Sequence, residues 1–195
     1  MIYEEIQDKV RLMLSPKRFE HALGVKYWAE ILAHKYGCDI EKARIAAISH
    51  DCAREYPIEE LIQIAENRDP ELDEVTMMEP QLLHGSVGSI IAKNKLGIND
   101  DEILSAIRYH TTGKTQMTLL DKIIYISDVI EESRCYDGVE RVRQLVMEDL
   151  DSALILSLDN TIRYVLSIHG LLHPRTIEAR NDLLLKNKEK RGGLL

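Results

Sequence analysis

Apolar residues recur every three or four positions along most of this chain, and the alternation of half-buried strands is missing outside short runs such as Ile123 to Ile126. That periodicity constrains the fold most: it predicts an all-α bundle. One Phe and one Trp among 195 residues, with Leu, Ile, Val and Ala abundant, suit a core of interlocking aliphatic helices. The length fits one large domain, placed at residues 1–185, with a charged tail over 186–195 expected to fray.

Helix ends are marked in the sequence. Ser15-Pro16 reads as an N-cap followed by proline in the first turn, opening a helix that carries Phe19, Leu23, Tyr27, Ile31 and Leu32 to Gly37. A second runs from about Ile40 to Glu55, where Ala43, Ala46, Ala47 and Ile48 make a narrow face for close packing. Residues 67–81 read as a loop with at most one short turn, able to serve as a lid. His84-Gly85 opens a helix to Gly97, and Asn99-Asp100 begins another ending at His110-Thr111-Thr112-Gly113. Further helices are expected over 117–131, 139–147 and 150–168 and from Pro174, for seven to nine in all.

The chain has 33 acidic and 25 basic residues, a formal net charge of -8. An acidic surface repels polyanions, and few aromatics are present to stack bases, so a nucleic-acid polymer is not expected as a partner. A small phosphate ester still fits if a metal and a few arginines make one locally positive pocket. No apolar run reaches the roughly 20 residues of a membrane-spanning helix, and no charged-then-apolar leader opens the sequence, so no membrane partner is expected. Cys38, Cys52 and Cys135 form no CxxC pair, which predicts neither a disulfide framework nor a thiolate zinc knot and favours the reducing cytoplasm. Cys52 reads as a small buried hydrophobe.

The chemistry rests on His50-Asp51, at the end of the second helix, with the lone histidines His21, His84 and His110 and the isolated Asp128. Asp128 falls among apolar neighbours and needs a partner. Imidazole nitrogen plus carboxylate oxygen is the ligand mix of a catalytic divalent-metal site. Adjacent helical residues point about 100° apart, so His50 and Asp51 can both grip a region lying between their directions. That suits two neighbouring ions bridged by Asp51, with His21 and Asp128 completing one and His84 and His110 holding the other. His34, near a helix C-terminus, reads as structural.

The ordered set His21, His50-Asp51 and Asp128 resembles the HD-domain phosphohydrolase signature, and His84 and His110 match the extra histidines of its dinuclear members. The phrases Arg18-Phe19-Glu20-His21, Leu83-His84-Gly85, His110-Thr111-Thr112-Gly113 and Asp128-Val129-Ile130-Glu131 followed by Arg134 look closer still to the YqeK family. Departures are Ser127 before Asp128, Glu132 after Glu131, and Ser86 and Ser89, where the family favours Ala, Pro, Pro and Ala.

The resemblance implies an all-α HD bundle that hydrolyses diadenosine tetraphosphate symmetrically to two ADP. It implies two divalent ions, iron first, with manganese, cobalt or zinc as alternatives, held by His21, His50, Asp51, His84, His110 and Asp128 as catalytic and metal residues. Arg54 and Arg134 are the leading candidates for phosphate oxygens, ahead of Arg18 and Lys122, with hydroxyls from Thr111 and Thr112 and base contacts from 169–174, His173 included. Arg141, Arg143 and Arg163 read as exposed helix-face charges, and Asp121 as a helix N-terminal charge or salt bridge. The rival readings are another HD phosphohydrolase, such as a nucleotidase or cyclic-nucleotide phosphodiesterase, and a non-catalytic metal and nucleotide sensor. A homodimer is compatible with all of them.

Overall fold

A computed structural model describes residues 3–190. In chain order its helices are α1 (Tyr3–Met13), α2 (Pro16–Tyr36), α3 (Ile40–Ser49), α4 (Ile58–Arg68), α5 (Glu74–Met78) and α6 (Leu83–Ile91). Then follow α7 (Asp101–Tyr109), α8 (Leu119–Ile130), α9 (Val139–Val146), α10 (Leu150–Ser167) and α11 (Pro174–Lys190). A 3-10 turn at Pro80–Leu82 leads into α6 and a π turn at Ala92–Leu96 extends it. No strand occurs among the described residues, and none of their helices is long and apolar enough to cross a membrane.

The architecture is all-α as expected, but eleven α-helices among the described residues exceed the seven to nine anticipated. The additions are α1, α4 and α5. Each carries a weak start or a thin apolar stripe: α4 begins at Pro57 with no side-chain cap, α1 buries only Ile6 and Val10, and α5 is five residues long and buries Thr76 alone. Tertiary packing, rather than intrinsic helix strength, holds such segments. α5 lies inside the expected 67–81 loop, and the 3-10 turn straddles its end. α11 continues through Lys190, and the remaining tail residues, 191–195, lie outside the described residues.

Five helices carry the site. α2 packs on α3 and α8, α3 also meets α7, and α7 lies between α6 and α8. α2 starts where Ser15 Oγ accepts from Arg18 N (3.4 Å) and buries Phe19, Ala22, Val25, Ala29 and Leu32 at helical spacing. α3 is capped by Asp39, and its fully buried Ala43, Ala46 and Ala47 let neighbouring backbones come close. α8 opens with a capping box between Thr118 and Asp121 and is apolar on most sides, with Leu120, Ile123, Ile124, Ile126 and Ile130 buried, as a central helix must be. Each such side chain contributes about 1.5–3 kcal/mol by leaving water. α6 sits tightly on α7 because position 85 is glycine: a Cβ there would lie 2.7 Å from the Arg108 carbonyl oxygen. α10 packs on α8, α9 and α11 and forms the outer wall beside the C-terminal end of α8.

Candidate metal centre

His50 and His110 follow the last turns of α3 and α7, where helix carbonyls lack partners. Each ring bends back so that Nδ1 donates to the carbonyl three residues earlier, His50 to Ala47 O and His110 to Ile107 O, both at 2.7 Å. His84, in the first turn of α6, repeats the pattern with Gln81 O at 2.5 Å. The Arg54 guanidinium also approaches His84 Nδ1 (3.0 Å), but it shares Gln81 O (3.3 Å), and a carbonyl can only accept. His21 is held by a carboxylate instead, Nδ1 donating to Glu131 Oε1 at 2.9 Å. In all four rings the proton is therefore placed on Nδ1, and Nε2 is turned inward with its lone pair available.

The four Nε2 atoms converge on two carboxylates. Asp51 Oδ1 lies 3.2 Å from His84 Nε2 and 3.7 Å from His110 Nε2. Its other oxygen, Oδ2, lies 3.6 Å from His50 Nε2 and 3.7 Å from His21 Nε2. Asp128 Oδ1 closes the second half, 3.0 Å from His21 Nε2 and 4.0 Å from His50 Nε2. The structure thus brings all six expected cluster residues together. Three overlapping triplets have ligand atoms within 4.8 Å of one another: His21 with His50 and Asp51, His50 with His110 and Asp128, and Asp51 with His84 and His110.

The charge balance fits a cation. His21 Nε2 and His50 Nε2 are buried without a hydrogen-bond partner among the described residues, the short His21–Asp128 approach not being aligned to share a hydrogen. Burial pushes His50 below its ordinary value and, with the His50 and His84 rings beside it, takes His110 down to about 3, so neither adds a proton near neutrality. Burial opposes ionisation of Asp51 and Asp128, but the surrounding imidazoles outweigh it, with Arg134 adding to the pull on Asp128, and both carboxyls stay well below the usual range. Burial lowers His21, but the Asp128 and Glu131 carboxylates raise it more, above its ordinary value, so this ring holds a proton more readily than His50 or His110. Two carboxylates and inward-facing imidazole nitrogens in a buried pocket match the needs of a first-row divalent ion.

Charged side chains surround this centre. Arg134 donates to Asp128 through Nη2 to the carboxylate and Nε to the backbone oxygen (2.8 Å). Arg18 Nη1 reaches Asp51 Oδ2 at 3.2 Å. Lys122, by contrast, is held by Asp151 at 2.5 Å. Thr111 sits half-buried against Gly85, and Thr112 turns its hydroxyl to Gly113 O. His173 is engaged elsewhere: Nε2 meets Asp73 Oδ2 (3.1 Å) and Thr76 Oγ1 (3.2 Å), while Nδ1 accepts from Arg175 N, tying α11 to α5. Asp121 caps α8 and pairs with Lys114 Nζ at 3.1 Å. Cys52 is buried beside Asp51, donates to Gly88 O, and burial raises its thiol to about 12.

Two contributors escaped the sequence reading. Glu131 appeared only as a word in a motif, yet it buries its carboxylate on His21 and accepts from Ser133; its place three residues after Asp128 puts both on one helix face. Gly24 of α2 makes room, since a Cβ there would lie 2.9 Å from Glu131 Oε2. Arg143 is no exposed helix-face charge: it donates to the carbonyls of Ile130, Glu131 and Arg134 and anchors the C-terminal end of α8.

The family model of the HD domain matches residues 18–133, a span that holds all six cluster residues and Glu131. The chain belongs to the HD-domain family. Its HD domain is most of a longer likeness: the chain is 40% identical to the symmetrical bis(5'-nucleosyl)-tetraphosphatase of Bacillus subtilis (strain 168), over 93% of this chain and 97% of that protein. The protein of the same name from Halalkalibacterium halodurans is 38% identical over 92% of this chain and 95% of its own length. A crystal structure of an HD superfamily hydrolase involved in NAD metabolism, from Clostridium acetobutylicum, is 46% identical, with a TM-score of 0.91 over 95% of this chain and 98% of that one.

Two openings lead to the HD-domain centre. A cavity of about 630 Å³ lies beside Asp128 and Arg134, walled by the 134–137 turn and by α10. A smaller one, about 220 Å³, lies beside His84 and Arg54.

Proposed function

We propose that this chain is a metal-dependent hydrolase that cleaves diadenosine tetraphosphate symmetrically into two ADP. The observation that carries the reading is the division of Asp51, whose Oδ1 faces His84 and His110 while Oδ2 faces His21 and His50. The relatives' shared name, at 38–40% identity over nearly their full lengths, supplies the substrate. In this reading all six cluster residues would hold two divalent ions, iron foremost on the family likeness, with the two Asp51 oxygens facing different histidine pairs. Bound there, such ions lower the pKa of a coordinated water and polarise phosphoryl oxygens.

The chain's own groups do the rest. Glu131 and the three helix carbonyls fix the four rings, so no imidazole need reorient when substrate enters. Arg134 commits Nη2 and Nε to Asp128 and has Nη1 to offer a phosphate oxygen, and Arg54 stands on the opposite side by His84. Burial holds Arg134 down and Asp128 pulls it up more, so the guanidinium stays charged. Water oxygen adds to one of the two central phosphorus atoms. The bond from that phosphorus to the central bridging oxygen breaks, the other half keeps that oxygen, and each half leaves as ADP. The free Cys38, Cys52 and Cys135 support a place in the cytoplasm.

Product analysis of diadenosine tetraphosphate in oxygen-18 water tests this reading. ADP as the sole nucleotide, with the label in one of every two molecules, is expected. ATP plus AMP would reject symmetrical cleavage, and adenosine with inorganic phosphate would favour a nucleotidase.

A further inference from the structure

The geometry points to the 630 Å³ cavity as the seat of one purine nucleoside of the substrate, its base stacked on Tyr164. This inference rests on the phosphate-ester reading of the metal centre and adds where the organic half of the ligand goes. The cavity begins at the cluster itself. Asp128 is its most exposed member, with a side chain 16% accessible, and it forms the cavity's inner wall together with Arg134. A phosphate held at the centre therefore continues into this space. The volume lies within the roughly 300–1,000 Å³ of small-molecule pockets, whereas the 220 Å³ opening beside His84 is below it.

The wall chemistry suits a nucleoside. Both Tyr164, 64% exposed, and Tyr136, 36% exposed, line the cavity, in a chain with only 5% aromatic residues. Exposed rings lining a concave, mostly apolar space are stacking platforms, and every purine offers a π face. On the same wall Arg163 Nη1 donates to Asn160 Oδ1 at 3.2 Å, which leaves the Asn160 amide N–H groups and the outer guanidinium as donors toward the acceptor atoms of a purine edge. Arg163, read from sequence as a surface charge, thus belongs to the cavity rim. Arg134 marks the boundary between the phosphate end and the base end.

The test compares ADP with inorganic pyrophosphate, which shares the phosphates and lacks the nucleoside. Binding of each to the metal-loaded protein is measured by calorimetry for wild type, Tyr164→Ala, Tyr164→Phe and Asn160→Ala. Tyr164→Ala is expected to weaken ADP about 10-fold or more, the scale of one lost base stack, and to raise KM for diadenosine tetraphosphate alike with little change in kcat. Pyrophosphate affinity stays level, and Tyr164→Phe restores most of the ADP affinity because the ring is kept. ADP affinity indifferent to both alanine variants, or ADP and pyrophosphate weakened in parallel, overturns the nucleoside seat. Weakened ADP binding in Tyr164→Ala with no dinucleotide turnover in wild type keeps the seat and overturns the substrate instead.

Discussion

His84 Nε2 and His110 Nε2 lie 3.0 Å apart while the Nδ1 of each ring is committed to a backbone carbonyl. Two imidazole lone pairs at that distance need a proton or a cation between them. Burial disfavours the proton, driving His110 to about 3. Chelation should therefore do more than stop activity. At metal concentrations about 100-fold above Kd, bound ions add about 2.7 kcal/mol of stability, worth about 5–10 °C in Tm for a chain of this size. Thermal melts with and without chelator, then with metal restored, check this; a Tm indifferent to both would reject the cation.

Glu131 is expected to act through His21. Replacing it by Gln keeps an acceptor for His21 Nδ1 but removes the charge, and replacing it by Ala removes both. Metal affinity and activity should fall in the order wild type, Glu131→Gln, Glu131→Ala, with a loss of about 10–100-fold at the end of the series. Competition with a chromophoric chelator reads the affinity, and far-UV circular dichroism verifies that the helices survive. Equal metal affinity in all three proteins would leave Glu131 a structural acid only.

Asp51→Asn and Asp121→Asn separate the centre from the scaffold. The first keeps the shape of the bridging side chain but removes its charge, so metal content and turnover should collapse together. The second alters a cap: Asp121 accepts from Thr118 N (2.8 Å) and Ser105 Oγ (2.7 Å). Its cost should appear as about 0.5–2 kcal/mol of stability with metal retained. Elemental analysis beside urea melts reads both, and full metal occupancy in Asp51→Asn would sink the bridging assignment.

A pH dependence follows from Asp73. Burial opposes its ionisation, but the Thr76 amide and hydroxyl and the His173 ring outweigh it, holding the folded pKa below the ordinary value. A lowered folded pKa stabilises the protein above the unfolded carboxyl pKa of about 3.9, and that share is lost as pH falls through the folded value. The stability gap between wild type and Asp73→Asn should thus be full near neutrality and shrink below about pH 4. Urea unfolding across that range tests it, and a gap constant with pH would show that the carboxylate charge contributes nothing.

The helical class and the ends of α2, α6, α7 and α8 were legible from local signals such as spacing, caps and glycines, while the six clustered residues stood out only when their order along the chain was matched to the HD signature. What stayed hidden depends on which helix lies against which. Arg143 looked solvent-facing because nothing in its own helix shows that the carbonyls of Ile130 and Glu131 wait beside it. His173 was placed with the base through family likeness, whereas its ring is engaged by Asp73 and Thr76 about a hundred residues away. The 630 Å³ cavity has no sequence signature at all, since it arises where α10 passes the 134–137 turn.

The Cys52 thiol follows Asp51 directly in the sequence, and burial pushes it up to about 12. A sulfur so close would ordinarily recruit thiophilic ions. Its sulfur is turned to Gly88 O and is not among the atoms that converge on the cluster, so the donors gathered there are oxygen and nitrogen. Packing has thus set a soft donor aside from a site whose converging atoms suit harder, first-row ions.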